Sequence, residues 1–451
     1  MKRSMCAHYA NPLGLFSILI LLVFLSACQN PNRPSPKNPV SITLWHIYVE
    51  QMKTTFEGLV DEFNVTVGAK QGIVIQVAAV ANPSVLSEKL LMAANGDPGA
   101  PEIPDISVIY PPVAATLSAK GLLMDFASQF TKDGISRYVD AFIEAGMIDG
   151  HHYLLPISKS TEVLYVNKTI FDQFAGDLSA TQNGVTLTQL ETFEGIIDAA
   201  EKYYAWSGGK TFYYPDSLFT YSMIGMEQMG EHLVRDRKLN LTSPAFKRIW
   251  DTYYGPAAKG RVAIFNTFGD YLALTGDAVA ITGSSAGAIF YPDSVIHKDG
   301  TKEAAEFIVL PFPVFSGGEK VAIQRGVDMC VIKSTPVKEY AASVFLKWLT
   351  SPEQNLPFTA STGFIPVVKQ AFDATSNVGN SDNAMIKKAR LATSTMQKEY
   401  RFYVQPVFDG FEAMQKNYIK ELQDRALAAR NNGGGTVPDD ARFNFITAFN
   451  E

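Results

Sequence analysis

Cysteine is scarce in this chain, with three residues in a length of 451. Cys6 lies in an amino-terminal leader and Cys28 at its end, so only Cys330 belongs to the part that must fold. If Cys28 is acylated, no intramolecular disulfide can form and the fold depends on its hydrophobic core. Cys330 lies in an alternating strand pattern, which predicts a small buried residue.

Basic residues are too few to give the chain a positive charge. Lysine and arginine number 39 against 45 acidic residues, a formal net charge of −6. Removal of the leader takes away Lys2 and Arg3 but no acid, which makes the charge two units more negative. This balance excludes a general attraction to nucleic acid or to an anionic membrane. Beyond the leader there is no second apolar run of membrane-spanning length and no repeat of solenoid period.

The first 27 residues have the pattern of a secretory signal. Lys2 and Arg3 precede an uncharged run, residues 13–24, which is shorter than the roughly 20 apolar residues of a membrane span. Residues 25–28, Leu-Ser-Ala-Cys, resemble the lipobox of bacterial lipoproteins, in which the cysteine is acylated and becomes the first residue. Cleavage at Ala27 without acylation is the alternative. We expect an exported chain, lipid-anchored through Cys28 and facing the periplasm or the cell exterior.

Residues 28–40 are predicted to be a tether. The twelve residues after Cys28 include four prolines and no apolar periodicity. Such a segment is expected to be extended and unable to pack. The prolines would then set the reach of the folded part from the membrane.

The remaining chain has the alternation of an α/β protein and is too long for one hydrophobic core, so two domains are expected. Strands are predicted at 41–45, 74–80 and 105–110, with a buried helix face at Phe56, Leu59, Val60 and Phe63 and a helix at 85–95. This order predicts a parallel sheet with ligands at the carboxyl ends of its strands. Later elements are strands at 278–282 and 327–332 and helices at 337–350 and 411–429.

The order of motifs from Ile42 onward resembles the extracellular solute-binding proteins of ABC importers, in the cluster that binds sugars and polyols. The segments that carry the resemblance are residues 44–46, 104–108 with 121–125, 149–156 with 161–168, 276–280 and 345–366. The resemblance implies an α/β, two-lobe periplasmic-binding-protein fold (type II) with hinge-linked lobes. It places the first lobe at 41–155 plus 319–357 and the second at 156–318 plus 358–451.

Within that cluster the pattern most resembles glycerol-3-phosphate-binding proteins, through residues 158–165, 282–287 and 325–326. By this resemblance Tyr110, Ser160, Ser284, Ser285 and Gly326 approach the ligand. Four other expected contacts differ here: Asn82, Pro111, Phe364 and Val407. A buried dianion needs charge-assisted partners, for which Arg325 or Arg401 would have to compensate. A neutral sugar or polyol is therefore the first expectation and a polyol phosphate the alternative.

Aromatic rings should contact the C–H faces of such a ligand. Trp45 and Tyr110, each at the carboxyl end of a strand, are the candidates, with Phe364 a weaker one. Trp45 could equally pack under the first helix. One of Ser284 and Ser285 could merely cap a helix that opens at Ala286.

Gly326 and the histidines complete the set of candidates. Gly326 would let the ligand approach the backbone closely, or would mark a bulge. His151 and His152 lie in a turn, and the sequence offers no third metal ligand at a suitable spacing, so a metal site is not predicted there. His46 has no serine or cysteine partner that it could activate as a nucleophile.

No catalytic residue, metal or cofactor is therefore expected. The expected partners are a small sugar or polyol, the permease subunits of an ABC importer and the membrane through the lipid anchor, but no nucleic acid; the chain is expected to be a monomer. A sensory accessory protein and a secreted carbohydrate-active enzyme are the alternative functions.

Overall fold

The computed structural model of the chain describes residues 33–177, 184–374, 383–406, 408, 410–432 and 434–449. The predicted signal, Cys28 and Val407 lie outside the described residues. Within the described ranges, no helix combines the length and the apolar character needed to cross a membrane.

Strands and helices alternate along the described chain. The strands are β1 Val40–His46, β2 Ile73–Ala79, β3 Ile106–Ile109, β4 Met147–Ile148, β5 His151–His152, β6 Leu155–Ser160, β7 Glu162–Asn167, β8 Tyr213–Pro215, β9 Val234–Arg235, β10 Lys238–Leu239, β11 Ala280–Ser284, β12 Ser294–Ile296, β13 Lys302–Ala304, β14 Phe307–Leu310, β15 Val321–Ile323, β16 Arg325–Val331 and β17 Arg401–Tyr403. The α-helices of five or more residues are α1 Glu50–Phe63, α2 Pro83–Asn95, α3 Pro111–Ala119, α4 Lys132–Ser136, α5 Asp140–Glu144, α6 Lys168–Gly176, α7 Phe193–Trp206, α8 Leu218–Gln228, α9 Pro244–Ala258, α10 Gly269–Thr275, α11 Pro336–Leu349, α12 Pro352–Thr362, α13 Lys369–Ala374, α14 Ala384–Glu399, α15 Phe411–Asn432 and α16 Ala441–Thr447. A shorter helical segment, Ala69–Gln71, ends at Gly72.

The first sheet has the order β2-β1-β3-β16-β6. β1, β2 and β3 run parallel, as the strand and helix alternation predicted, whereas β16 is antiparallel to both β3 and β6. α1 buries Phe56, Val60 and Phe63 against this sheet, and α2 ends at Gly96 in the left-handed conformation. The carboxyl ends of the three parallel strands therefore meet at one edge of the sheet, and Tyr110 follows β3 at that edge.

The second sheet has the order β14-β7-β11-β8, and β15 pairs with β17 in a two-stranded sheet that belongs to the same lobe. Two of the crossings between the lobes are made by strands of these sheets. A single residue, Thr161, separates β6 in the first sheet from β7 in the second, and Gln324 alone separates β15 from β16. Ser160 pairs with Arg325, so the two crossings lie side by side. This arrangement gives two α/β lobes joined by adjacent strands, the two-lobe fold predicted from the sequence.

Two hydrophobic cores correspond to the two sheets. One extends from Ile42 to Ile157 and takes in residues 327–371, and the other contains residues 163–323 and 385–445. Residues 358–371, placed in the second lobe by the sequence, thus contribute Phe358, Phe364 and Val367 to the first core. Cys330 is buried in β16 as predicted, and burial raises the pKa of its thiol to about 12.

The expectation that the proline-rich segment cannot pack was wrong for its described part, residues 33–40. Ser35 and Asn38 close a tight turn, with Asn38 N donating to Ser35 O at 2.9 Å. The Arg33 guanidinium lies 4.9 Å from the centre of the Tyr340 ring, on α11. The segment packs because it crosses Gly72, where the absence of a side chain leaves room for another backbone.

Candidate functional site

Two adjoining cavities lie where the lobes face each other, one of about 400 Å³ and one of about 360 Å³. They share Ser217 and Arg325. The larger is also lined by Ile109, Tyr110, Pro111, Ala145, Lys159, Gln324, Gly326, Asp328, Val404, Gln405 and Gln415. The smaller is also lined by Tyr214, Pro215, Asp216, Leu218, Phe265, Asn266, Thr267, Phe268, Ile419 and Gln423. We call this continuous space the cleft; it lies at the sheet edge where ligands bind in parallel α/β folds.

Tyr110 forms part of the wall of the cleft on the first lobe. It follows β3 in an extended conformation, and the next helix, α3, begins at Pro111 directly after it. Burial and the nearby Asp328 raise the pKa of the Tyr110 hydroxyl to about 12. The phenol is therefore protonated at neutral pH and presents both an apolar ring and a hydrogen-bond donor.

A buried ion pair joins β6 and β16 beside Tyr110. Lys159 Nζ donates to both carboxylate oxygens of Asp328, at 2.7 and 2.8 Å. The exposed fractions of the two side chains are 4% and 12%. Each charge is thus neutralised by a partner from the same sheet, which is what burial of a charge requires.

A second ion pair links the lobes. Arg325 belongs to the first sheet, but its guanidinium lies 3.0 Å from Glu162 of β7 and donates to the hydroxyls of Ser217 and Thr220, all in the second lobe. Glu162 is 2% exposed, and burial raises the pKa of its carboxyl to about 7 even though the Arg325 charge lowers it. Arg325 is 37% exposed and faces both cavities.

Asp216 adds a third carboxylate, in the smaller cavity. Burial raises the pKa of Asp216 to about 6, against the lowering effect of Arg325. It is held close to the backbone, since a side chain at Gly283 would begin 3.5 Å from Asp216 Oδ2. The carboxylate is positioned to accept hydrogen bonds from a molecule in the cleft.

Gln324, at the crossing between β15 and β16, carries an unsatisfied acceptor. Its side-chain oxygen Oε1 is buried and has no hydrogen-bond partner among the described residues, although the residue lines the larger cavity. A buried acceptor left without a partner costs free energy, on the order of 1–3 kcal/mol. A donor on a bound molecule would remove that cost.

Of the residues predicted from the sequence, Tyr110, Arg325 and Gly326 line the cleft. Gly326 has a φ of +123°, and a side chain there would begin 2.3 Å from the carbonyl oxygen of Ser158 on the neighbouring strand. The pairing of β16 with β6 shifts register one residue later. The close approach at Gly326 is therefore between two strands of the protein, as the bulge alternative expected.

The predicted serines lie near the cleft but are engaged by the protein. Ser284 caps a 3-10 helix, its hydroxyl accepting from the backbone N–H of Ala286 at 3.3 Å. The Ser285 hydroxyl is fully buried and accepts from the backbone N–H of Thr161 at 3.4 Å. Ser160 is buried opposite Arg325 and lines neither cavity.

The two other predicted ring contacts belong to the first core. Trp45 is half-buried and packs against that core. The β1 residue that meets the first helix is its neighbour His46, whose ring centre lies 5.1 Å from that of Phe56. Phe364 is 9% exposed and its ring lies 6.4 Å from that of Phe358 and 6.5 Å from that of Tyr48. Neither residue lines the cleft.

Sequence reasoning missed most of the polar residues of the site, among them Lys159, Glu162, Asp216, Gln324 and Asp328. One signal was available. Residues 158–165 read as a continuous strand pattern yet contain a lysine and a glutamate, and charges in a strand buried on both faces must find partners. Their partners Arg325 and Asp328 are more than 160 positions away in the chain, and only the fold brings them together.

The described residues contain no group of three or more His, Cys, Asp or Glu side chains that could hold a metal ion. His151, in the predicted turn, instead bonds Asp125 at 2.8 Å on the surface.

Two α/β lobes joined by crossing strands, with a polar cleft between them, define a class of protein that encloses small molecules. A family model described as bacterial extracellular solute-binding protein matches residues 58–388, more than half of the chain. The chain belongs to this family, which confirms the resemblance seen in the sequence. It is a solute-binding protein, and as a member of an extracellular family it is exported.

Solved structures agree with the fold. The cyclic α-maltosyl-1,6-maltose binding protein of Arthrobacter globiformis has 20% identity and a TM-score of 0.69, covering 91% of this chain and 98% of that one. UgpB of Mycobacterium tuberculosis in complex with glycerophosphocholine has 17% identity and a TM-score of 0.68, with the same coverage. Maltose-bound MalE3 of T. maritima has 16% identity and a TM-score of 0.64, covering 91% of this chain and 99% of that one.

Proposed function

We propose that this protein captures a neutral, hydroxyl-rich solute, a sugar or a polyol, in the cleft and delivers it to the permease of an ABC importer. It acts as a monomer without catalysis and is held at the membrane by acylation of Cys28. Structural neighbours that bind maltose and a cyclic maltosyl-maltose support the carbohydrate class.

The observation that supports a neutral ligand is that both cationic side chains of the cleft are already paired with carboxylates of the protein. Lys159 is engaged by both oxygens of Asp328, and Arg325 by Glu162, Ser217 and Thr220. Asp216 adds a further acid to the same space. A phosphate dianion would have to compete with these carboxylates for its cations, whereas a hydroxyl group can both donate to the acids and accept from Tyr110.

Three residues would recognise such a ligand directly. The Tyr110 ring would pack on a C–H face of the ligand, and the Asp216 carboxylate would accept hydrogen bonds from its hydroxyl groups. Gln324 Oε1 would accept from another ligand hydroxyl the hydrogen bond that it lacks in the free protein. Replacing Gln324 by Ala should then weaken binding by about tenfold or more, since a bound hydroxyl loses its partner. Trp45 and Phe364 would support the wall of the cleft from the first core without touching the ligand.

A polyol phosphate is the second candidate, because Arg325 is partly exposed to both cavities. The structural neighbour bound to glycerophosphocholine is consistent with it. In this alternative Arg325 would leave Glu162, whose carboxyl would then take up a proton.

A thermal-shift screen against sugars, polyols and their phosphates tests the proposal. Stabilisation by neutral compounds only is the expected result, about 2.7 kcal/mol at a hundred-fold excess over Kd. Stabilisation by phosphates only would establish the second candidate, and no shift with any compound would contradict both. Chromatography of the incubated ligand distinguishes a binding protein from a carbohydrate-active enzyme, which would form a product. Loss of transport on deleting the permease subunits would separate delivery from a sensory role.

A further inference from the structure

The proline-rich segment ahead of β1 packs on the first lobe at the end opposite the cleft. Val40 begins β1, and its backbone N–H donates to the carbonyl of Gly72, the residue just before β2, at 2.8 Å. The amino ends of β1 and β2 therefore lie together, whereas Tyr110 and the cleft lie at the carboxyl ends. β1 has seven residues, so the two ends of the sheet are about 20 Å apart.

Gly72 is the residue on which the segment rests. It has a φ of +70°, and a side chain there would begin 2.0 Å from the carbonyl oxygen of Ser35 and 2.8 Å from the nitrogen of Pro36. No real side chain could occupy that position while the segment stays in place. The turn closed by Ser35 and Asn38, together with the Arg33 contact to the Tyr340 ring, completes the attachment.

We propose that residues 33–40 form a strap that holds the first lobe with its cleft directed away from the membrane, and that release of the strap is what allows the cleft to turn towards a membrane-embedded permease. This rests on the proposed acylation of Cys28. The strap thus packs on the first lobe of its own chain. In this arrangement the end of the lobe around Gly72 and Tyr340 faces the bilayer.

Chain length explains why the strap would matter. With the strap in place, the chain from Cys28 to Arg33 can span at most about 18 Å. That is shorter than the roughly 20 Å between the attachment end and the cleft, so the cleft cannot be inverted onto the bilayer. With the strap released, the chain from Cys28 to Val40 can reach about 40 Å, which is sufficient.

A matched pair of glycines tests the strap. Gly72 and Gly96 both follow a helical segment in the left-handed conformation, with φ of +70° and +69°, but a side chain at Gly96 would meet nothing within 4 Å. Gly72→Ala and Gly96→Ala therefore carry similar backbone strain, and only the first displaces the strap.

The first measurement is tryptic cleavage after Lys37 in the full lipidated chain on vesicles of phosphatidylethanolamine and phosphatidylglycerol. We expect Gly72→Ala to speed cleavage about tenfold or more, because a protease needs the segment detached, with Gly96→Ala close to the wild type. Tyr340→Ala should lie between them. Equal rates in the wild type and Gly72→Ala would show that the segment is already free and would overturn the strap.

The second measurement is energy transfer from a donor on Phe268→Cys, an exposed residue of the cleft rim, to acceptor-labelled lipids in the same vesicles. Transfer should be weak in the wild type and with Gly96→Ala, and stronger with Gly72→Ala. Unchanged transfer despite faster cleavage would overturn the orienting role. Failure of the wild type to associate with vesicles would refute acylation instead, and the cleavage rates in solution would still decide whether the strap is attached.

Discussion

Two ion pairs lie side by side on the crossing strands, and they differ in what they connect. Lys159 and Asp328 belong to the same sheet and are both almost fully buried. Arg325 and Glu162 belong to different lobes, and Arg325 keeps 37% of its side chain exposed to the cleft. The first pair therefore stabilises one lobe, while the second fixes the lobes relative to each other at the position where a ligand would bind.

The residues left behind, Glu162 in one pair and Lys159 in the other, also differ in how they would respond to the loss of a partner. The pKa of Glu162 is already raised to about 7 by burial, so it can become neutral by taking up a proton. Loss of Asp328 would instead leave the Lys159 side chain, which is 4% exposed, without the carboxylate that it bonds, and breaking a buried ion pair is strongly destabilising. Breaking the pair within the sheet should thus be the more damaging change.

The largest effect is expected from Asp328→Ala. It leaves the buried Lys159 charge without its partner, which should lower the free energy of unfolding by about 3–5 kcal/mol. Urea denaturation followed by circular dichroism measures this. The double variant Lys159→Met with Asp328→Leu should recover most of the loss, because it removes both charges. A loss below about 1 kcal/mol in the single variant would show that the pair is not buried as described.

Arg325→Ala should lower the free energy of unfolding less than Asp328→Ala does, and its main effect should be on ligand affinity. Glu162 can neutralise itself, so we expect a loss of about 1–3 kcal/mol in unfolding free energy. Ligand affinity should fall by at least about tenfold, since the lobes lose a link at the cleft. Titration calorimetry with the ligand found in the screen measures it.

Arg401→Ala is the matched control for Arg325. Arg401 also pairs with a buried acid of the second lobe, Glu227 at 3.7 Å, but it lines neither cavity. Its removal should leave the affinity unchanged. Equal losses of affinity in both arginine variants would contradict a specific role for Arg325.

The strands and helices could be predicted from the sequence, but the positions of the two ion pairs relative to the lobes could not. Apolar alternation and helical spacing identified β1, α1, β2, β3 and the helix at α11, because a buried strand or helix face repeats within a few residues. They could not show that Gln324 and Thr161 are single-residue crossings, since this depends on which sheet each strand joins. The same reason explains why Phe364, apolar and near the hinge, was predicted as a ligand contact although it packs in the first core.

A third prediction uses pH to separate the pairs. The ordinary carboxyl pKa is 4.5, and that of Glu162 in the folded protein is about 7. Between these values the folded protein keeps a proton that the unfolded chain has released, so stability falls as pH rises from about 4.5 to about 7. Asp216, raised from 3.8 to about 6, contributes a fall of the same sign at lower pH.

Glu162→Gln should therefore flatten the fall of unfolding free energy between about pH 5 and 7, leaving the smaller part from Asp216. Urea denaturation at several pH values measures the slope. Glu88→Gln, at an exposed glutamate of α2, is the control and should keep the wild-type slope. An unchanged slope in Glu162→Gln would mean that the Glu162 carboxyl of the wild type is ionised over this whole pH range. The pair between the lobes would then stay charged, and the proposed difference between the two pairs would be wrong.

The smallest effect is expected from Ser217→Ala. Its hydroxyl accepts from Arg325 at 3.2 Å and is one of three acceptors around that guanidinium, with Glu162 and Thr220. Because two acceptors remain, the unfolding free energy should fall by less than about 1 kcal/mol and the affinity by about two- to fivefold. Thr220→Ser keeps the hydroxyl that accepts from Arg325, so it is the control and should match the wild type. If Ser217→Ala weakened binding as much as Arg325→Ala, then the hydroxyl itself would contact the ligand, and the arginine would serve mainly to orient it.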